Sequence, residues 1–374
     1  MFKTSLKLFK IAGIEIRLDY SWFLIFAILA YYFGFSYFPK LLFELNSGII
    51  AAITIITVLL FFFSVLAHEL SHSLIAKSKG MGVNRISLWI FGGMAEIEKE
   101  PDTPFKEFIM SIAGPVTSFV IAFIFGVVWY FTRNFAPVGE PAAYLAQINI
   151  ILGVFNLLPG YPLDGGRVLR SIIWKVTGSL KRATFIASTT GRVFGFILIA
   201  AGIVFIFTGN FLNGIWFALI GWFLQSAAYM SYRQLIFETS VKGIKVKDII
   251  GEEIVTVSQE TTLQELVDEY FMKYRFSRFP VTAGVHTRKI LGVISIHDIK
   301  AFPKEEWDTI TVGEIVKSIS SNEIIPEDME VSEAIKQMTK LNLGHLIVMS
   351  GNRLKGMLTK TDVMNYIQFY SELH

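Results

Sequence analysis

Six apolar stretches, each near the twenty or so residues needed to cross a hydrocarbon core, fill the first two thirds of the chain and leave it few folds to choose from. They run over 21–38, 49–67, 108–131, 142–158, 184–207 and 211–230. A backbone in lipid must satisfy its own hydrogen bonds, so runs of this length read as helices. Composition agrees, since 17% of the residues are charged and 53% hydrophobic, against about 25% charged in soluble domains. The expected fold is a polytopic α-helical membrane domain over residues 1–235, multi-pass in the cell membrane with the lipid bilayer as its surroundings. The fourth run holds Gln147, Asn149 and Asn156 and is expected as a packed inner helix rather than a lipid-facing one. No cleavable signal peptide is apparent. Lys3, Lys7, Lys10 and Arg17 precede the first run, which lacks a small-residue cleavage site and reads as a permanent span.

Basic residues orient the spans. One set of loops carries Lys77, Lys79, Arg85, Lys99 and Lys106, then Arg167, Arg170, Lys175, Lys181 and Arg182; the opposite loops offer little beyond Lys40 and Arg133. The first set, both termini and the tail are therefore expected on the cytoplasmic side. The net charge of +3 comes without a dense basic stripe, so no nucleic-acid partner is expected. Cysteine is absent, which excludes disulfides and thiolate zinc sites and leaves His, Asp and Glu as metal ligands.

The segment His68-Glu69-Leu70-Ser71-His72 has the H-E-x-x-H pattern. On a helix, positions i and i+4 share a face, so both imidazoles can reach one ion. Glu69, beside the first ligand, can take a proton from the attacking water, while zinc brings the pKa of water near 7 and polarises the scissile carbonyl. These are the only histidines in the membrane half, and ionisable groups in an apolar helix are functional by default. A catalytic zinc takes three protein ligands and keeps one position open. With no third histidine nearby, the missing ligand should be a carboxylate. Asp164 is the candidate, in Asn156-Leu157-Leu158-Pro159-Gly160-Tyr161-Pro162-Leu163-Asp164-Gly165-Gly166-Arg167. There the prolines break the span and the paired glycines permit close backbone approach. An ordinary cytoplasmic loop with an N-capping Asp is the alternative.

His68-Glu69-Leu70-Ser71-His72, followed by Asn156-Leu157-Leu158-Pro159 and Leu163-Asp164-Gly165-Gly166, resembles the site-2 protease family of intramembrane metalloproteases over residues 1–235. The resemblance implies zinc held by His68, His72 and Asp164, with Glu69 as catalytic base and a membrane-anchored protein as substrate. It also implies that Asn156 contacts the substrate backbone or the developing oxyanion, as a side-chain amide donor can. Ser71 stands where the family often has glycine. The weakly alternating segment Ile86–Ile97, read as bending at Gly92-Gly93, resembles a membrane-dipping β-hairpin of the family. Its free edge either aligns an extended substrate strand or simply covers the site. Glu96, Glu98 and Glu100 read as a solvated face.

From about residue 236 the character changes, and two units repeat, at about 245–301 and 312–370. Short β-branched runs alternate with amphipathic helical stretches at 262–273 and 331–340, giving a soluble α+β module. Both units close on glycine, an apolar strand and Ser or Thr three residues before Asp: Ser295 with Asp298, Thr359 with Asp362. The pair resembles tandem cystathionine-β-synthase-type (CBS) domains. That resemblance implies a possible homodimer through the tail and an adenine nucleotide such as ATP as regulatory ligand, with Asp298 and Asp362 on ribose and Ser295 and Thr359 on phosphate. His297 and Lys360 are either phosphate contacts or surface groups. A packing module without ligand is the alternative for the tail. For the whole chain the alternatives are a transporter regulated by the tail and a catalytically silent binding protein. A transporter predicts polar residues along several spans, whereas polarity concentrates at the two motifs.

Overall fold

The computed structural model of the chain describes residues 5–90, 92–97, 100–241, 243–251, 254–284, 290–351 and 353–373. Glu98, Lys99 and His286 lie outside them. Backbone contacts divide the chain into two units, Met1–Leu235 and Ile236–His374, and the fold class matches the sequence reading in both.

Among the described residues six helices are long and apolar enough to cross a membrane, hereafter spans 1–6: Tyr20–Leu41, Ser47–Ser78, Pro104–Thr132, Ala136–Asn156, Leu180–Phe207 and Phe211–Val241, the last continuing past the end of the first unit. Span 2 continues eleven residues past the predicted end at Ala67, so the H-E-x-x-H segment lies inside the helix rather than at its tip. At about 1.5 Å per residue, its ten residues beyond His68 reach ~15 Å further. The expectation of an enclosed fourth span needs correction. Span 2 is the more enclosed, with 44% of its most apolar window buried against 28% for span 4. Span 4 turns Asn149 inward, where Nδ2 donates to Ser64 Oγ (3.2 Å) and Leu145 O (2.8 Å). Its other side exposes Gln147, Ile150, Ile151 and Val154. Asn149 thus marks one inward line on a helix that is not wrapped in protein, and Gln147 lies off that line.

Four strands complete this unit: β1 (Ser5–Ile11), β2 (Ile14–Asp19), β3 (Val83–Trp89) and β4 (Gly92–Ile97), in that order in one sheet. The β1–β2 hairpin turns at Ala12-Gly13, both with positive φ, and buries Ile14, Ile16 and Leu18 while Glu15 and Arg17 stay partly exposed. β2 runs parallel to β3, pairing Ile16 with Ile86, and β3 runs antiparallel to β4, pairing Leu88 with Gly93. Spans 1 and 2 form the crossover between β2 and β3, as a parallel pair requires. Gly92-Gly93 falls inside β4, not at the bend as the sequence suggested, because Trp89 pairs with Gly92. Among the described residues β1 and β4 are the two edge strands of this sheet.

The second unit repeats one topology. β5 (Val257–Ser258) runs parallel to β6 (Arg278–Thr282), which pairs antiparallel with β7 (Ile290–Ser295), and β8 (Lys317–Ser318) follows. Likewise β9 (Ile324–Pro326) runs parallel to β10 (His345–Ser350), which pairs antiparallel with β11 (Arg353–Thr359). Helical crossovers over 263–274 and Val331–Lys340 join the parallel pairs. The segment opening each repeat packs into the other repeat's core. Val246 belongs with Val331, Leu346 and Leu358, whereas Val312 belongs with Leu263, Phe279 and Ile294. Backbone bonds fix the exchange: Val246 N–H to Met329 O and Val312 N–H to Thr261 O, both 2.9 Å. Neither repeat completes its core alone, so the two form one folding body.

Candidate metal centre

His68 and His72 lie one turn apart on span 2, both buried. Their Nε2 atoms are 3.3 Å apart, and each faces Oδ2 of Asp164, at 3.0 Å and 3.1 Å respectively. Zinc–ligand bonds of about 2.0–2.1 Å at tetrahedral angles place donor atoms about 3.3 Å apart. The three edges therefore fit one face of a tetrahedral zinc site, leaving the fourth vertex for water or substrate. Among the described residues these three form the group of His and carboxylate ligands able to share an ion.

Both imidazoles are oriented from behind by span 3. His72 Nδ1 donates to the Met110 carbonyl at 2.6 Å. A carbonyl only accepts, so the proton sits on Nδ1 and the Nε2 lone pair is free for a metal. His68 Nδ1 pairs with Ser118 Oγ at 2.9 Å. Between these partners, at helical spacing on the same face, lies Gly114. A Cβ there would overlap the Nε2 atoms of both histidines. The centre is thus a cradle floored by bare backbone.

Asp164 opens a helix, Asp164–Thr177, on the far side of the loop that follows span 4. Gly165 and Gly166 press against the Leu157 carbonyl and Gly160, so close that neither could carry a side chain. Tyr161 N–H donates to Ala187 O of span 5 at 3.1 Å, Gly160 abuts Gly191, and the Tyr161–Pro162 peptide is cis. The close approach inferred from the paired glycines is what brings Asp164 back to the histidines, 92 and 96 residues away in sequence.

Glu69 sits next to His68, half-buried. Gly93 of the edge strand β4 lies against its Cγ, where a Cβ would clash. The sheet edge and the candidate base therefore meet. Asn156, the last residue of span 4, has its Nδ2 turned back to donate to Leu152 O at 3.0 Å, so one of the two N–H groups expected to face substrate is engaged within its own helix. Met110, Gly114 and Ser118 were not singled out from sequence, and Gly93 was read there as part of a bend rather than as a contact of Glu69. The signal for Gly114 and Ser118 was available as small and polar residues recurring at helical spacing in Ser111-Ile112-Ala113-Gly114-Pro115-Val116-Thr117-Ser118.

In the second unit, the residues expected to hold nucleotide pair with each other. Asp298 Oδ2 accepts from Ser295 N–H at 3.0 Å and from its hydroxyl, and Asp362 Oδ2 accepts from Thr359 N–H at 2.8 Å and Oγ1 at 2.7 Å. These are reciprocal caps of the helices that follow. Lys317 takes the other Asp298 oxygen. Burial pushes the Asp298 carboxyl up, but its bonds to Lys317 and Ser295 outweigh that and hold it below the usual range. His297 and Lys360 are exposed.

Residues 56–138 and 133–200 match the model of peptidase family M50, and residues 246–305 and 312–368 each match the CBS domain. The chain is 32% identical over 362 residues to zinc metalloprotease MJ0392 of Methanocaldococcus jannaschii, covering 96% of this chain and 95% of that protein. It is 33% identical over 362 residues to a Synechocystis protein provisionally named zinc metalloprotease sll0528, covering 95% and 93%. Among solved structures it is similar to a site-2 protease from Methanocaldococcus jannaschii, with 31% identity, 61% of this chain and 95% of that one covered, and a TM-score of 0.43. A metalloprotease of multi-pass membrane type is the class that fold and family define. The chain belongs to peptidase family M50, the site-2 proteases, with two CBS domains at its C-terminal end.

Proposed function

We propose that this protein is an intramembrane zinc endopeptidase cleaving membrane-anchored proteins in or near their transmembrane segments, adjusted by an adenine nucleotide at the CBS pair. The observation that carries the first part is the convergence of His68, His72 and Asp164, from two elements distant in sequence, on one point beside Glu69. Zinc held by those three residues supplies Lewis-acid chemistry, acidifying water and polarising the scissile carbonyl. Glu69 takes the proton released in the attack and delivers it to the leaving amine. Asn156, swung away from Leu152, offers its amide N–H to the developing oxyanion. A peptide bond inside a helix is shielded, so the substrate must unwind and have its backbone groups satisfied. The outer edge of β4, unpaired among the described residues and lying against Glu69 at Gly93, offers a strand for that purpose.

The orientation has two supports. The basic loops stand on one side of the six spans. In addition, β2 and β3 share a sheet although two spans separate them, so the N-terminal hairpin and the loop after span 2 lie on the same face of the membrane. We assign that face, both termini and the CBS pair to the cytoplasm.

Purified full-length protein is expected to carry one zinc per chain and to cleave a model transmembrane substrate, with cleavage lost on chelation and restored by zinc. His68→Ala and Asp164→Ala should each lower zinc content. Undiminished cleavage by metal-free protein would overturn the mechanism. For the tail, ATP binding by equilibrium dialysis should vanish in the Asp298→Ala, Asp362→Ala double variant. Its thermal melt would separately register the lost caps, each about 1 kcal/mol. Binding that survives removes the ribose contacts.

A further inference from the structure

Span 3 holds a third contact that the metal chemistry does not use. Glu107, fully buried, accepts from Arg170 Nε at 2.5 Å, and Arg170, 3% exposed, also reaches the same oxygen through Nη2. The guanidinium lies 5.3 Å from the Tyr161 ring centroid, and its Nη2 is 3.5 Å from Glu100 Oε2. A buried ion pair is a poor way to add stability, because well-packed apolar residues usually serve as well or better. This one is not even complete, since Glu107 Oε2 has no hydrogen-bond partner among the described residues. Its position says more. Glu107 shares one helical face with Met110, Gly114 and Ser118. Arg170 stands six residues, or about 9 Å of helix, beyond Asp164 on the same short helix.

We infer that the Glu107–Arg170 pair is a positioning device that registers the third metal ligand, Asp164, against the histidines. The inference rests on the metal-centre reading above. Span 3 then serves as a single template: Met110 sets His72, Ser118 sets His68, and Glu107 sets the helix bearing Asp164. The Arg170 fork fixes direction as well as charge, which a lysine ammonium does not.

The test is zinc affinity of the full-length protein in detergent, by competition with a chromophoric chelator, alongside the thermal melt of the zinc-free protein. The Glu107→Met, Arg170→Met double variant is expected to melt at or above wild type yet bind zinc about ten- to a hundredfold more weakly, the size of effect that supporting partners of metal ligands have. Arg170→Lys, which keeps the charge in place, is expected to bind zinc about tenfold more weakly and decides the matter if the double variant does not fold. Wild-type zinc affinity in a folded variant of either kind overturns the positioning role. Wild-type protein that takes up no zinc overturns the metal centre itself, and this inference with it.

Discussion

Glu69→Gln is expected to leave the fold and zinc content unchanged while slowing cleavage of a model transmembrane substrate by about a hundred- to ten-thousandfold, the usual worth of a general base. The substitution is nearly isosteric. The amide fills the space against Gly93 that the carboxylate fills, and the metal-facing atoms of His68, His72 and Asp164 are untouched. What disappears is the capacity to accept a proton. His68→Ala removes a ligand instead, so it should lose zinc and cleavage together. The pair of variants separates proton transfer from metal binding, with metal analysis and a gel-based cleavage assay as readouts. Equal cleavage by wild type and Glu69→Gln would remove Glu69 from the mechanism.

How much of this is legible in the sequence depends on the range of the physics involved. The spans are local: hydrophobicity over some twenty residues decides them, and all six appear with boundaries extended mainly where polar residues continue a helix beyond the lipid, as at the Ser78 end of span 2. Asp164 could be nominated by elimination, because a cysteine-free chain with two membrane histidines leaves a carboxylate. The glycines after it gave a mechanical reason for its return. The N-terminal hairpin was also readable, since Ile14, Ile16 and Leu18 alternate strictly with Glu15, Arg17 and Asp19 around a glycine turn. Other features depend on which helices meet. Nothing local marks Ser118 as the partner of His68 or Met110 O as that of His72. The exchange of Val246 and Val312 between repeats follows from packing and not from the repeat pattern. The Ser295–Asp298 and Thr359–Asp362 pairs carry the opposite lesson. Their spacing, noticed for its likeness to nucleotide sites, is also the spacing of a helix cap, and the hydrogen bonds are those of a cap.

Gly114→Ala is expected to lower zinc affinity by at least about a hundredfold, beyond the ten- to hundredfold typical of altered supporting residues, because it intrudes on two ligands at once. The added methyl carbon would lie 2.5 Å from His68 Nε2 and 2.6 Å from His72 Cε1, and nearer still to His72 Nε2. Flexible side chains can often swing away from such an intrusion. These cannot, since Ser118 Oγ at 2.9 Å and Met110 O at 2.6 Å tether each ring at its opposite nitrogen. Relief must come from breaking a tether or moving span 3 outward, and either disturbs the 3.0–3.3 Å edges that suit zinc. Gly126 supplies the control. It lies on the same helix with nothing within 4 Å of its would-be Cβ, so Gly126→Ala should bind zinc and cleave as wild type does. Zinc titration of both variants, with melts of the zinc-free proteins to check folding, distinguishes an effect at the cradle from a general one on the helix. A folded Gly114→Ala protein that binds zinc like wild type would mean that the histidines do not meet above the span 3 backbone, and the template on which all three ligands are assembled would have to be abandoned.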